Sequence, residues 1–331
     1  MLTFFSPYEV PAGFGPTAVT IGKFDGVHTG HRAIIDRVRA VAAERHLTSA
    51  VVTFDRNPLS LLRPENCPLS LASNSQKLQL LAETGLDATL MLTFDEALAA
   101  LGPEEFVQQV LVDALHAKVV LVGGDFRFGA KGVGTVELLQ DLGAFHGFSV
   151  IVVDIVAPLG DRRVSSTWVR ELLDAGNVTE AAELLGTLPT IRGEVVHGAE
   201  RGRTLGYPTA NLSSDIEGFV PADGVYAAWL TTDGVRYPAA VSVGNNPTFA
   251  GVPDKQVEAH VLDQTLDLYG ATVELRFVAY IRGMRKFDGA DALAAQMGAD
   301  EQQIRRILGV PPKAGGPTPV IPAPVTPTPG V

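Results

Sequence analysis

Cysteine is almost missing from this 331-residue chain, which has only Cys67. A single cysteine excludes an internal disulfide framework and favours a reducing, cytoplasmic environment. Long apolar runs are missing too, since no stretch approaches the ~18 consecutive apolar residues of a membrane span. The first residues have neither the basic region nor the apolar core of a signal peptide. We therefore expect a cytoplasmic protein with no membrane contact.

Basic residues are in the minority: the chain has 26 Lys and Arg against 37 Asp and Glu, which gives a net charge of −11 at pH 7. Nucleic-acid backbones attract basic surfaces, so this balance predicts no nucleic-acid partner. Two common phosphate-binding signatures are also missing: the Gly-x-Gly-x-x-Gly fingerprint after the first strand and the Walker A loop. Any phosphate site must therefore be built in another way.

Short apolar runs and helical patterns alternate through the first half of the chain. Such alternation, with Val-rich strands, predicts an α/β fold with a parallel doubly wound sheet, whose ligands bind beyond the carboxyl ends of the strands. The expected strands are Thr17–Ile21, Ala50–Phe54, Ala88–Thr93, Lys118–Val122 and Ser149–Ile155, and the expected helices are Gly30–Arg45, Ser75–Thr84, Pro103–Leu115, Val136–Phe145 and Thr167–Leu185.

The pattern changes after a break at residues 186–189 to short strands, several alternating with period two. Many short antiparallel strands followed by one helix predict a small β-barrel with a closing helix, Ala290–Leu308. The Pro-rich tail, residues 311–331, has the composition of a disordered segment. We expect domains at 1–186 and 187–310, each with its own core and able to act alone. The barrel strands are expected at Ile191–Val196, Gly224–Thr231, Arg236–Val243, Val257–Leu262 and Thr272–Ile281.

The segment GKFDGVHTGHR, residues 22–32, lies where the first strand gives way to a helix. Free amides and the helix dipole favour an anion at such a junction. Gly22 and Gly26 allow a phosphate to approach the main chain. His28 and His31 share one helical face and can donate to the same phosphate, which suits nucleotidyl transfer. Two ordinary surface histidines, or part of a metal site, are the alternatives.

A second segment, VSSTWVR at residues 164–170, opens another predicted helix. Ser165, Ser166 and Thr167 are residue types that cap helices, and capping alone would explain them. The functional alternative places their three hydroxyls around a triphosphate, with Arg170 as a bidentate phosphate clamp.

The second half has its own candidate phosphate loop, which contains four glycines: Gly193, Gly198, Gly202 and Gly206. On their own, its glycines indicate a mobile turn. Thr209 and Asn211 follow it, and their hydroxyl and amide oxygens suit Mg²⁺ bound together with phosphates. Glu258 lies on a predicted strand, where a carboxylate is usually solvated.

Taken in order, these segments resemble the prokaryotic bifunctional riboflavin kinase/FAD synthetases. The resemblance covers nearly everything from Thr17 to Leu308. The adenylyltransferase module is matched by GKFDGVHTGH, TFDRNP, GGDFRFG and VSSTWVR, and the kinase module by GEVVHGAERGRTLGYPTANL, PADGVYAAW, SVGNNPTF, VEAHVLDQTLDLYG and IRGMRKFDGADALAAQM.

The resemblance implies a nucleotidyltransferase-like Rossmann domain followed by a riboflavin kinase-like barrel, and it implies roles for particular residues. Thr209 and Asn211 would be the Mg-ATP ligands of the kinase and Glu258 its general base. His28, His31 and Arg170 would act in adenylyl transfer. Implied ATP or phosphate contacts are Gly22, Phe24, Asp25, Gly26, Asp125, Ser165, Ser166, Thr167, Gly198, Arg201 and Gly206, and implied flavin contacts are Asn57, Phe126, Arg127 and Tyr207.

The expected activity is therefore phosphorylation of riboflavin to FMN, then adenylylation of FMN to FAD, both with ATP and Mg²⁺, by a monomer or weak homo-oligomer. Asn57 departs from the family, which usually has His there, and an amide cannot titrate. Gln264-Thr265 also departs, since Phe-Asp is more usual. The alternatives are a flavin-binding regulator that has lost one or both activities, or an adenylyltransferase for another phosphorylated acceptor.

Overall fold

Two sheets organise the chain: a six-stranded sheet in the N-terminal half and a closed six-stranded barrel in the C-terminal half. The computed structural model describes residues 1–153, 162–197, 207–244 and 255–312. Within these ranges no helix is both long and apolar enough to cross a membrane. The Pro-rich tail expected at residues 311–331 lies outside the described residues from position 313 onward.

The N-terminal sheet is parallel throughout, as the β-α alternation predicts. Its strand order is β1-β4-β3-β2-β5-β6. Both faces are covered, because β2 sends Val19 and Ile21 into one apolar cluster and Ala18 into another. The strands are β1 Leu2–Phe4, β2 Thr17–Ile21, β3 Thr48–Phe54, β4 Ala88–Leu92, β5 Ala117–Gly123 and β6 Ser149–Val153.

Helices cover the sheet, and side-chain caps begin several of them. Ser73 and Gln76 form a reciprocal capping box at α3, and the Thr135 hydroxyl caps α6. The helix α5 continues as a π-helical stretch, Val107–Ala114. The helices are α1 Thr29–Arg45, α2 Leu59–Leu62, α3 Asn74–Ala82, α4 Glu96–Ala100, α5 Pro103–Phe106 and α6 Val136–His146.

One long helix expected at Thr167–Leu185 is wrong, because the chain forms two: α7 Ser166–Asp174 and α8 Val178–Leu185. Gly176 adopts φ +77°, and Asn177 caps α8. Glycine permits this left-handed backbone at little cost, so the helix ends there.

The buried faces of α7 and α8 belong to the apolar core of the barrel. Val169, Leu173 and Leu184 are in the same buried cluster as barrel residues such as Tyr226 and Phe277. Their backbones are joined as well, since Ala222 N donates to Leu173 O at 2.9 Å. The domain boundary expected near residue 186 stays a prediction. Separating the two halves there would expose the side chains that α7 and α8 bury in this cluster.

The barrel is antiparallel throughout, with strand order β10-β11-β8-β7-β12-β9 closed on itself. The sequence pattern missed only its shortest described strand, β8, because three residues are too few for a visible period. The helix α9, Ala290–Leu308, begins and ends where predicted. The strands are β7 Thr190–Val196, β8 Ala210–Leu212, β9 Gly224–Thr232, β10 Val235–Gly244, β11 Gln256–Val261 and β12 Thr272–Arg282.

Buried charges hold α9 against the barrel. The Arg282 side chain donates from Nε to Asp300 Oδ2 at 2.9 Å. Arg305 pairs with Glu301, one turn earlier in α9, at 2.7 Å and with Asp263, in the turn after β11, at 2.5 Å. Asp300 and Glu301 are buried, and the cationic partner of each compensates for that burial.

Leu173→Ala tests the shared core. Leu173 is 2% exposed in the cluster that joins α7 to the barrel. Truncating a buried leucine leaves a cavity, so we expect the free energy of unfolding to fall by ~2–5 kcal/mol. Urea unfolding followed by fluorescence measures this change. Leu69→Ala is the matched control, because Leu69 is 76% exposed. Equal effects of the two substitutions would contradict the shared core.

Candidate active sites

A cleft of about 900 Å³ lies at the carboxyl end of the parallel sheet. Its walls come from the turn after β2, the start of α1, the loops after β3 and β5, and the start of α7. This is the position expected for a doubly wound sheet. The predicted residues that line it are Gly22, Phe24, Asp25, His28, His31, Asn57, Asp125, Phe126, Ser165, Ser166, Thr167 and Arg170.

Two predicted residues lie elsewhere. Gly26 has φ +76°, and a Cβ there would come within 2.9 Å of Leu71 and 3.2 Å of Leu185. It lines a small cavity between the two halves, so packing alone accounts for this glycine. Arg127 is exposed, and its Nη1 donates to Phe126 O at 3.3 Å.

His28 and His31 stack on one another at the start of α1, with ring centroids 3.7 Å apart and planes 16° apart. His28 is the N-cap, and its Nδ1 accepts from His31 N at 3.3 Å. Neutral His28 therefore carries its proton on Nε2. The Nδ1 atom of His31 is buried and has no hydrogen-bond partner within the described part of the chain.

Both imidazoles are neutral near pH 7. Burial, reinforced by the nearby Arg163 charge, lowers the pKa of His28 to about 4. Burial also lowers the pKa of His31 well below its usual value, and His28, Lys23, Arg163 and Lys77 add to the effect. Neutral imidazoles can donate hydrogen bonds but carry no charge, so the positive charge of the cleft comes from its lysines and arginines.

Arg170 and Asp25 form a partly buried ion pair in the cleft wall. Arg170 Nε also donates to Leu69 O at 2.6 Å, and Asp25 Oδ1 accepts from Leu71 N at 2.8 Å. Ser166 Oγ donates to Asp25 O at 3.0 Å. Protein groups thus already occupy two sides of the Arg170 guanidinium, which ties three loops together.

The other predicted hydroxyls have different surroundings. Ser165 caps α7, since its Oγ accepts from Trp168 N at 3.2 Å. Thr167 is exposed at the cleft. Helix capping thus accounts for Ser165, and Thr167 is the hydroxyl most accessible to a ligand.

The predicted flavin contacts lie along the loops after β3 and β5. Asn57 Oδ1 accepts from Leu59 N at 3.1 Å, so the amide shapes the turn before α2. Phe126 stacks on Phe128 with centroids 5.6 Å apart and planes 13° apart. Asp125 pairs with Arg163 at 3.0 Å across the cleft mouth.

Several cationic residues of this cleft were missed by the sequence analysis. Lys23 lies inside the first motif, but only its neighbours were singled out. Lys77 comes from α3, where nothing in the local pattern distinguishes it from a solvated lysine. The missed basic residues that line the cleft are Lys23, Arg56, Lys77, Arg162 and Arg163.

A second cavity, of about 420 Å³, opens on the barrel. Thr209 lines it, together with the segment after β11 that contains Gln264 and Thr265. The departure from the family at this pair therefore falls on the cavity wall. The predicted phosphate contacts Gly198, Arg201 and Gly206 lie outside the described residues.

Asn211 and Glu258 are directly opposite each other on β8 and β11. Cross-strand partners present their side chains on the same face of a sheet. Val257 and Ala259 point into the barrel core, so Glu258 points away from it, as does His260. The side chain of Glu258 therefore lies outside the barrel core, on the face that it shares with Asn211.

Tyr207 packs beside this face. Its ring centroid lies 5.1 Å from that of His260, whose Nδ1 is 2.8 Å from Pro208 O. Burial and the nearby Glu301 raise the pKa of Tyr207. These contacts connect the start of the Thr209 segment to β11, with Glu301 of α9 nearby.

The buried histidine pair predicts a pH-dependent stability. Since the pKa of His28 is about 4 when folded and about 6.5 when unfolded, the unfolded chain binds an extra proton between these values. Stability should fall as pH decreases through this window. Relative to His28→Asn, which keeps a capping side chain, wild type should lose about 2 kcal/mol between pH 7.5 and pH 5 in urea unfolding.

His46→Asn is the matched control, since His46 is exposed at the other end of α1. A His28→Asn variant with the wild-type pH dependence would contradict a buried neutral imidazole at this position.

Two family models match the chain in tandem: FAD synthetase over residues 12–168 and riboflavin kinase over residues 185–308. The "Bifunctional riboflavin kinase/FMN adenylyltransferase" of Escherichia coli K12 is 39% identical over 88% of this chain and 93% of its own length. The protein of that description in Bacillus subtilis 168 is 32% identical over 88% and 92%.

One solved structure shares the fold across both halves. It is described as a macrolide-efflux protein from Streptococcus pneumoniae and has a TM-score of 0.81 and 33% identity, covering 92% of this chain and 98% of that one. That description concerns the other protein, and the match supports only the shared architecture here. From the tandem models and the relatives that match along nearly their whole length, the chain belongs to the bifunctional riboflavin kinase/FMN adenylyltransferase family.

Proposed function

We propose that this chain makes FAD from riboflavin in two ATP-dependent steps, the first in the barrel and the second in the N-terminal cleft. The observation that carries this conclusion is the tandem match of both family modules, each with its own cavity. Phosphorylation of riboflavin produces FMN, which is the acceptor for adenylylation. The two activities are therefore consecutive reactions on one metabolite.

In the cleft, a phosphate oxygen of FMN attacks the α-phosphorus of ATP. The bond from the α-phosphorus to the bridging oxygen breaks, and pyrophosphate leaves with the electron pair. The attacking phosphate is already a nucleophile, so a covalent enzyme intermediate is unnecessary. Catalysis then consists of alignment and stabilisation of the charge that develops on the phosphates.

His28 Nε2–H and the His31 ring supply neutral donors to those phosphates. Their burial keeps them unprotonated before substrate binds, so neither has to lose a proton to adopt this role. The exposed Lys23 and Arg163 supply charge at the cleft wall. Arg170, being paired with Asp25, positions the loops of the cleft.

In the barrel, the ribityl 5′-hydroxyl of riboflavin attacks the γ-phosphorus of ATP, and ADP leaves. Glu258 accepts the hydroxyl proton as general base. Its position outside the packed core gives it access to the face that Asn211 shares. Tyr207 contacts the flavin from the α9 side of this face.

The oxygens of Thr209 and Asn211 fit Mg²⁺, which binds few protein groups and relies on substrate phosphates for the rest. Within the described ranges, no cluster of three or more His, Cys, Asp or Glu residues could hold a metal by itself. Thr209 and Asn211 would hold the ion with ATP. When bound, it neutralises phosphate charge.

The remaining assignments concern the cellular compartment, the partners, the oligomeric state and the role of Asn57. The single cysteine supports a cytoplasmic enzyme, and the acidic balance supports the absence of a nucleic-acid partner. We propose that the enzyme acts as a monomer or weak homo-oligomer. Asn57 supports its turn through a hydrogen bond, a role that requires no titration. It therefore no longer favours a regulator over an enzyme.

Incubation of the purified chain with riboflavin and Mg-ATP, followed by chromatographic separation of the flavins, tests the proposed function. FMN should appear first and FAD afterwards. A flavin-binding regulator would bind riboflavin without converting it. Replacing FMN with other phosphomonoesters tests the identity of the acceptor, because an adenylyltransferase for another compound would leave FMN unchanged.

His28→Ala and His31→Ala test the donors in the cleft. Removing a positioned transition-state donor costs ~10²–10³-fold, so FAD synthesis from added FMN should fall by that factor. Riboflavin phosphorylation by the same samples checks that the barrel is intact, and His46→Ala is the control. Unchanged FAD synthesis in both variants would make them a buried structural pair with no part in adenylyl transfer.

Glu258→Gln keeps the size of the side chain and removes its basicity. The kcat for riboflavin phosphorylation should fall by ~10²–10⁴-fold with little change in riboflavin affinity. Conversion of added FMN to FAD should persist. Glu194→Gln, an exposed carboxylate on β7, is the matched control. Lost riboflavin binding with an unchanged kcat would make Glu258 a recognition residue.

A further inference from the structure

Lys77 lies near the start of α3, outside the sequence segments that resemble the family motifs. It is only 6% exposed, yet it lines the N-terminal cleft. The cleft also contains the stacked histidines, and the Lys77 charge contributes to the low pKa of His31. A buried ammonium thus lies in the wall of the adenylyltransferase site.

The hydrogen bonds of this ammonium are incomplete. Nζ donates to Phe54 O, at the end of β3, at 2.8 Å. An ammonium has three donors, and over the ranges that the structure describes no carboxylate lies within 4 Å of this one.

Two carboxylates lie close enough to influence Lys77, but both have other partners. Asp25 pairs with Arg170. Asp55 pairs with Arg56 at 3.0 Å and accepts from Phe94 N at 2.8 Å. Neither is therefore available as a dedicated counter-ion for Lys77.

Burial without a counter-ion is costly for a charged amine, and it lowers the pKa of Lys77, against the opposing effect of Asp25 and Asp55. A hydrogen bond to the Phe54 carbonyl does not require a charge, because a neutral amide could donate it. The charge therefore remains unexplained by the protein's own contacts.

We propose that Lys77 is a catalytic residue of FMN adenylylation and donates to a substrate phosphate in the cleft. This inference rests on the proposed function, since it assigns the phosphate to that reaction. A substrate phosphate completes the hydrogen bonding of the ammonium and supplies its missing counter-charge. Lys is well suited to this as a compact point charge.

Lys77→Met, which removes the charge and all donors, should lower FAD synthesis from FMN and Mg-ATP by about 10²-fold. Lys118→Met is the matched control, because Lys118 is exposed on β5 and does not line the cleft. Riboflavin phosphorylation by the same chain verifies a folded barrel. A larger rise in KM for ATP assigns the contact to its triphosphate, and a larger rise for FMN assigns it to the FMN phosphate.

Two further variants separate phosphate binding from a tether to Phe54. Lys77→Gln keeps a donor for the carbonyl without the charge, and Lys77→Arg keeps the charge. Activity should stay low in Lys77→Gln and recover partly in Lys77→Arg. The wild-type rate should also fall at alkaline pH as Lys77 deprotonates, and Lys77→Arg should shift that fall upward. These two variants decide the question if Lys77→Met does not fold.

Full FAD synthesis in a folded Lys77→Met, or recovery in Lys77→Gln as complete as in Lys77→Arg, would overturn the inference. A wild-type chain that makes no FAD from FMN and Mg-ATP would instead refute the proposed adenylyltransferase activity itself. The wild-type reaction is therefore measured first, and the two failures remain distinguishable.

Discussion

The N-terminal cleft depends on the packing of α7. Its first residues line that cleft, whereas Val169 and Leu173 are buried in the apolar cluster that fills the barrel. Packed interiors transmit small displacements because they contain few voids. The orientation of the cleft residues on α7 is therefore fixed by the barrel as much as by the parallel sheet. The hydrogen bond from Thr29 Oγ1 to Leu184 O, 2.9 Å, similarly joins α1 to α8.

The cleft separates the donation of hydrogen bonds from the supply of charge. Burial keeps His28 and His31 neutral, so in the proposed reaction they are directional donors at the start of α1. The cationic side chains occupy other walls, and Arg170 is committed to Asp25. Such a division suits phosphate transfer. Fixed neutral dipoles need no reorganisation as charge moves between oxygens, while the cations lower the overall cost of bringing two polyanions together.

Sequence periodicity was sufficient for the fold class and for most elements, because five parallel strands and the final helix are long and strongly patterned. It failed at β1 and β8, which have three residues each, and at Gly176, where one glycine divides a continuous helical pattern. The motifs predicted most of the cleft lining, since they follow the strand ends. Lys77 was missed because its burial depends on the tertiary structure, and the packing of Gly26 could not be predicted because its neighbours Leu71 and Leu185 are distant in sequence.

Shared packing does not imply shared chemistry. The polar groups of the cleft come from the loops of the parallel sheet and the start of α7, whereas those of the barrel site come from β8, β11 and the segment after β11. The described linings of these two cavities have no residue in common. The barrel therefore supports the adenylyltransferase through α7 and α8 without contributing one of its described lining groups. A cut after residue 186 would leave each described cavity lining within one fragment and remove the apolar support of α7, so we expect a loss of FAD synthesis in such a fragment to reflect lost packing.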